Sequence, residues 1–256
     1  MQNRYVGHIG DYGKYGLLRT LCRNDLHLGV VWYLNAQEQA NTDGALVGYL
    51  SGDKWRLREC DPHLHEALGR LVAGGDRNVA AVQRGSILPS STQYFAVPLP
   101  VGSGPCIGEA ARAERLRVRD TWCHSAREAT REAEVVFFDP DNGVAPASVG
   151  HHRADALKYA FLDELEPYHH RGQSLVIYQH ANRDPGGFVC RLRSLVSRLK
   201  DELPAAVVWA LRWQRQQARA YIVLAHTAHD EVLWERSCQL VTSPWGQRKH
   251  FALVDL

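Results

Sequence analysis

Two aspartates stand two positions apart in the stretch FFDPDNGV, residues 137–144, with Pro140 between them and Gly143 just beyond. Asp139, Asp141 and Asn142 cluster oxygen acceptors that can take a proton or hydrogen bond from a substrate amine, or ligate a divalent ion such as Mg or Mn. Pro140 fixes the chain direction and Gly143 permits a positive φ, so the backbone is re-aimed just past an apolar run. A plain Asx turn would satisfy its local N–H groups with fewer acceptors. A second group closes the run SLVIYQH, residues 174–180, where Tyr178 and Gln179 lead to His180. A histidine there can act as a base, a metal ligand or a hydrogen-bonding clamp, or merely bond backbone at a strand end. The third group is GHIGDYGKYG, residues 7–16, in which four glycines surround Asp11, Lys14, Tyr12 and Tyr15. Such a density of glycine costs chain entropy unless the backbone must approach something closely, although a lead-in to a helix would also tolerate it. The stretch lacks both GxxxxGK[ST] and a preceding strand, so it is not a phosphate loop of that type.

Less specific chemistry lies elsewhere. RWQRQQAR, residues 212–219, interleaves Arg212, Arg215 and Arg219 with Trp213, a pattern that suits phosphate contact and base stacking or, more plainly, a solvated link. The histidine pairs His63/His65, His151/His152 and His169/His170 lack ligand spacing to acidic partners and read as surface residues.

Strands and helices must bring these groups together. GVVWYL (29–34), VVFF (135–138), SLVIYQH (174–180), AVVWALRW (206–213) and ARAYIVLAH (218–226) are β-branched and aromatic runs that predict strands. Helical periodicity or composition covers 14–24, 61–84 and 108–133, then segments near 154–166, 186–202 and 230–240. Residues 85–107, rich in Gly, Pro and Ser, read as an irregular insertion. Alternating elements predict one α/β domain over 1–256: a mostly parallel sheet with helices on both faces, and the last two strands as an antiparallel edge hairpin. In such sheets ligands bind beyond the carboxyl ends of the strands. The loops NAQEQANTDG, DPDNG and QHANR therefore face one expected crevice.

Composition narrows the setting without choosing a substrate. The 256 residues are 45% hydrophobic, enough for a full core, and 30 basic against 28 acidic residues leave a charge of only +2. That balance advertises neither a nucleic-acid nor a membrane partner. Six cysteines without a CxxC suit a reducing cytosol, and neither a signal peptide nor a membrane span is expected, so the reading is a cytoplasmic protein.

Taken together, these loops resemble the J-type family of 23S ribosomal RNA adenine-N6 methyltransferases. GDYGKYGLLRTL is similar to the family's AGNxxDVLKH, with Lys14 on its lysine and Tyr15 where it has histidine. VVWYLNAQEQ looks like the strand ending YLDTHAG, with Asn35, Gln37 and Glu38 or Gln39 replacing aspartate, histidine and glycine. VVFFDPDNG places Asp139 and Pro140 on the first two positions of DPPY, and VIYQH keeps Tyr178 from WYP. The resemblance implies a Rossmann-like fold and S-adenosylmethionine as cofactor, bound by Gly10, Asp11, Lys14, Tyr15, Asn35 and Gln37. It implies methyl transfer beside Asp139–Pro140, with Asp139 positioning or deprotonating the acceptor and Asn142 as a hydrogen-bonding partner. His180 joins this set from its place at the neighbouring strand end. Asp141 and Asn142 replace a proline and an aromatic that would stack on a base, which widens the acceptor from adenine to another nucleic-acid base or amine. RNA or DNA is the partner this reading expects. Two alternatives stand beside it: a nuclease or phosphohydrolase with Mg or Mn on Asp139 and Asp141, aided by His180 or Lys14, and an inactive, methyltransferase-shaped binding module.

Overall fold

The runs dense in Val, Ile, Phe and Trp pair side by side in the computed structural model, which describes residues 2–23, 25–35, 44–52, 55–100, 108–181, 187–203, 206–215 and 218–255. The strands are β1 (Leu28–Trp32), β2 (Gln93–Phe95), β3 (Val135–Asp139), β4 (Gly143–Val144), β5 (Tyr159–Ala160), β6 (Ser174–His180), β7 (Val207–Trp213), β8 (Arg219–Ala225) and β9 (Phe251–Leu253). Seven of them form one sheet in the order β2-β1-β3-β6-β8-β7-β9, while β4 and β5 make a small parallel pair of their own. β2, β1, β3 and β6 are parallel neighbours; β8 is antiparallel to both β6 and β7, and β9 is antiparallel to β7. β7 therefore runs with the parallel group, and the sheet is mostly parallel as the alternation of elements implies. The fold is α/β and compatible with a Rossmann-like architecture.

The helices are α1 (Ile9–Cys22), α2 (Tyr49–Gly52), α3 (Pro62–Ala73), α4 (Val79–Arg84), α5 (Glu109–Ala129), α6 (Leu162–His170), α7 (Phe188–Glu202), α8 (Asp230–Thr242) and α9 (Pro244–Gln247). They divide between the two sheet faces because strand side chains alternate. Val30, Trp32, Phe137, Leu211 and Tyr221 pack with α1, α3 and α8, whereas Val31, Phe138, Ile177, Ala210 and Ile222 pack with α5, α6 and α7. No helix among the described residues is long and apolar enough to cross a membrane.

Several sequence expectations are corrected here. The glycine-rich N-terminal stretch is not a loop: α1 starts at Ile9, five residues earlier than expected, with the His8 side chain accepting the Gly10 N–H at 3.0 Å as its N-cap. Gly10, Gly13 and Gly16 recur every three residues along this helix. A Cβ on them would fall 1.7 Å from Arg219 Nη1, 2.6 Å from Trp213 Cε3 and 2.4 Å from Trp245 Cζ2. The glycines thus let a helix buried along nearly its whole length lie tight against side chains from the C-terminal third, a tertiary gain that overrides weak helix propensity. In 85–107, expected to be irregular, residues 93–95 form the edge strand β2 beside β1, and 101–107 lie outside the described residues.

The expected helix over 61–84 divides into α3 and α4, because Gly75 turns the chain with φ +72° and Asn78 caps the second segment. The helix expected near 154–166 is a short 3-10 turn, the strand β5 and then α6. The β7–β8 hairpin is not the sheet edge, since β9 adds outside β7 and packs Phe251 5.0 Å from the Trp213 ring. His65 and His169, expected at the surface, are buried, and His65 Nε2 lies 3.3 Å from the Tyr49 carbonyl oxygen.

Candidate functional site

A cleft of about 600 Å³ opens at the carboxyl ends of β1, β3 and β6, a size within the ordinary range for small-ligand sites. Asp139 is the last residue of β3 and sits in register with Trp32 on the face that carries α1. Lys14 reaches it from the second turn of α1. Its Nζ donates to Asp139 Oδ2 at 2.7 Å and lies 2.9 Å from Asp11 Oδ1, and each of the three side chains is at most 5% exposed. The spacing of three residues between Asp11 and Lys14 puts both on one helix face. Tyr15, one position further, donates to Asp11 Oδ2 at 3.3 Å from behind. The Lys14 ammonium also lies 5.4 Å from the Trp32 ring centroid, a cation–π contact that closes the floor of the site.

Burial sets the protonation of this triad. Burial alone would lower the lysine, but Asp11 and Asp139 together outweigh it and hold Lys14 above its ordinary value. Burial pushes the Asp139 carboxyl up, with Lys14 pulling against it and Asp11 adding to it. Protonated Lys14 therefore stands between two carboxylates in a low-dielectric pocket, which fixes their geometry more firmly than a surface pair would.

The loop after β3 is locked from β6. Gly143 has φ +106°, and a Cβ there would lie 2.2 Å from Gln179 Oε1. Gln179 fills that space: its Oε1 accepts the Val144 N–H at 3.0 Å and its Nε2 donates to the Asn142 carbonyl at 3.0 Å. The Asn142 N–H donates to the Lys158 carbonyl at 2.9 Å. Asp141 and Asn142 are thus held, half-buried, at the cleft wall. The segment carrying Lys158 is itself pinned by buried Arg119, which pairs with Glu164 and donates to the carbonyls of Ala156 at 3.0 Å and Tyr159 at 2.8 Å.

His180 lines the same cleft. Burial and then the Arg219 charge lower its pKa, so the imidazole is neutral at pH 7. Its Nδ1 lies 3.2 Å from the Tyr178 hydroxyl. Burial holds that phenol protonated, and among the described residues it makes no other hydrogen bond. Either ring nitrogen can carry the proton, so the neutral imidazole can present a donor or an acceptor to the cleft.

Of the eleven catalytic and cofactor-binding residues expected from the sequence, eight line the cleft, Asp11, Lys14, Asn35, Asp139, Pro140, Asp141, Asn142 and His180, and Tyr178 lines it with them. Gly10 supports Arg219 from within a helix, and Tyr15 lies one layer behind the triad. Gln37 lies outside the described residues. His8 and Lys158, which the sequence reading passed over, also line the cleft, and so does Arg219, from the stretch 212–219 that was weighed as either a phosphate and base contact or a solvated link. Trp213 of that stretch is core, and Arg215 donates to His250 Nδ1 at 2.7 Å. Among the described residues no three His, Cys, Asp or Glu side chains converge to hold a metal ion. A divalent ion on Asp139 would also have to share that carboxylate with the Lys14 ammonium. Compared with known proteins, the chain matches no family model and no curated protein.

Proposed function

We propose that the protein is an S-adenosylmethionine-dependent, methyltransferase-like enzyme acting on an amine, with a nucleic-acid base as the leading acceptor class. One observation carries the reading. Lys14 and Asp139, the residues on which the N-terminal and DPPY-like resemblances rest, are 125 positions apart and meet at 2.7 Å in a cleft at the carboxyl ends of parallel strands.

The residues present fit such a cofactor. Asn35, Asp141 and Asn142 line the cleft with half-buried side-chain oxygens of the kind its hydroxyl and ammonium groups need. The cofactor supplies an electrophilic methyl group when bound. Asp139 engages Lys14 through Oδ2, leaving Oδ1 to accept a hydrogen bond from the acceptor N–H and orient its lone pair. Lys14 keeps that carboxylate in place, and His180 offers a ring nitrogen for a hydrogen bond to the acceptor. Transfer then needs mainly proximity and in-line approach, with Asp139 Oδ1 placed to take the proton that the nitrogen sheds as it gains the methyl group.

The test is binding of S-adenosylmethionine by titration calorimetry, followed by transfer of a labelled methyl group to RNA, DNA and small amines. Saturable binding, with transfer reduced at least about a hundredfold in Asp139→Asn, is expected for a positioning carboxylate. Binding without any transfer would favour the inactive module. No binding at millimolar ligand would sink the reading altogether.

A further inference from the structure

Arg219 is the first residue of β8, and because β8 is antiparallel to β6 it stands in register with His180. A reversed strand thus delivers a guanidinium to a crevice otherwise built from the N-terminal segment, α1 and the segments that follow parallel strands. The side chain is only 7% exposed, yet it lines the cleft. It lies against Gly10 and stacks 5.7 Å from the Tyr178 ring centroid. No hydrogen bond or ion pair joins it to a described residue, and its Nε is buried without a partner. Other buried arginines are satisfied: Arg119 holds Glu164 and two carbonyls, and Arg236 holds Asp25 and the Leu21 carbonyl. The carboxylates nearest the cleft floor, Asp11 and Asp139, already share Lys14. Two positions along the same face of β8, the Tyr221 hydroxyl is likewise buried without a partner.

Buried polar groups are ordinarily paired, and a charged group left unpaired is costly. A planar guanidinium packed against a glycine, with no hydrogen bond to a described residue, matches the two oxygens of a carboxylate or phosphate. We propose that Arg219 is the anion-binding residue of this cleft, taking a carboxylate or phosphate oxyanion from the bound ligand. It deepens the methyltransferase reading by naming a group the ligand must carry, and it rests on that reading only for the adenosyl probes. The carboxylate source is the methionine end of the cofactor. The phosphate source is the acceptor.

The experiment compares wild type with Arg219→Met, Arg219→Lys and Gly10→Ala, the last of which displaces the guanidinium without deleting it. Each protein is titrated with S-adenosylmethionine, with its decarboxylated analogue, and with inorganic phosphate followed by thermal shift. For the carboxylate source, Arg219→Met weakens S-adenosylmethionine by about tenfold or more, the loss of a charge-assisted pair, while the decarboxylated analogue is unchanged. For the phosphate source, inorganic phosphate protects wild type but not Arg219→Met, and S-adenosylmethionine affinity stays the same. Gly10→Ala follows Arg219→Met in either case, and Arg219→Lys, which keeps charge but not the fork, falls between. Ligand-free Arg219→Met is expected to melt above wild type, because an unpartnered buried charge has been removed. If Arg219→Met does not fold, Arg219→Lys and Gly10→Ala carry the comparison. The proposal is overturned if neither anion distinguishes wild type from the folded variants, whatever their melting temperatures. Failure of every adenosyl compound to bind wild type would instead remove the methyl donor, and the phosphate arm would still decide Arg219.

Discussion

Replacing Lys14 by methionine removes the cation that, among the described residues, contacts both Asp11 and Asp139, at 2.9 and 2.7 Å, and leaves two buried carboxyl groups about an apolar side chain. Breaking a buried pair by deleting one partner costs about 3–5 kcal/mol, because the remaining charge is neither solvated nor neutralised. For a chain of this size each kcal/mol moves the melting temperature by about 2–4 °C, so Lys14→Met should melt about 6–20 °C lower. Asp139→Asn leaves Lys14 on Asp11 and should cost less, about 1–2 kcal/mol. The double variant should be more stable than the sum of the two, by about 1.5–3 kcal/mol, since one stranded carboxylate is gone. Urea denaturation of the four proteins closes the cycle. The sign with pH follows from the raised lysine: its contribution is complete below the ordinary value of 10.5 and is lost as pH rises through the higher folded value. Additive single variants, or a Lys14→Met cost under about 1 kcal/mol, would refute a buried, charge-coupled triad.

Other outcomes test the parts that hold the cleft. Gly13→Ala puts a Cβ 2.6–2.8 Å from three atoms of the fully buried Trp213 ring, so calorimetry should show a loss of about 1–3 kcal/mol despite the better helix former; a higher melting temperature would mean the helix does not lie against Trp213. Gly143→Ala combines the φ of +106° with a collision at Gln179, costs about 1–3 kcal/mol, and should speed hydrogen exchange at the Val144 amide. Unchanged exchange there would show that Gln179 does not lock the loop. His180, His169 and His229 are all lowered, mainly by burial, so each contributes stability that is complete above 6.5 and is lost as pH falls below it. His180→Gln should flatten the acid side of a stability–pH curve, and an unchanged slope would place His180 in solvent.

What the sequence revealed and what it hid have the same origin. β1, β3, β6, β7 and β8 are continuous β-branched and aromatic runs, legible because central strands are buried on both faces. The acceptor cluster at Asp139–Asn142 was visible because Pro140 and Gly143 bracket it. Short edge elements such as β2 and β9 take their shape from neighbours rather than from their own three residues. The C-terminal part of α1 was legible in 14–24, but its first turns were hidden because local propensity counts each glycine as a loss, whereas packing against Trp213 and Trp245 makes it a requirement. The GxxGxxG spacing of Gly10, Gly13 and Gly16 was the available signal of a close-packed helix face. Lys14 and Asp139 were both singled out, but nothing in one dimension pairs residues 125 apart. Arg219 was named for phosphate contact with the rest of 212–219, but its place in this cleft was hidden, because it depends on β8 being inserted antiparallel beside β6.

The most direct measurement is equilibrium binding of labelled S-adenosylmethionine to the folded protein, with Asp139→Asn and Arg219→Met alongside. Saturable binding to wild type, weakened about tenfold or more by Arg219→Met for the carboxylate source, is the expected result. No saturable binding to wild type at millimolar ligand would contradict a cofactor site in the cleft at Lys14 and Asp139.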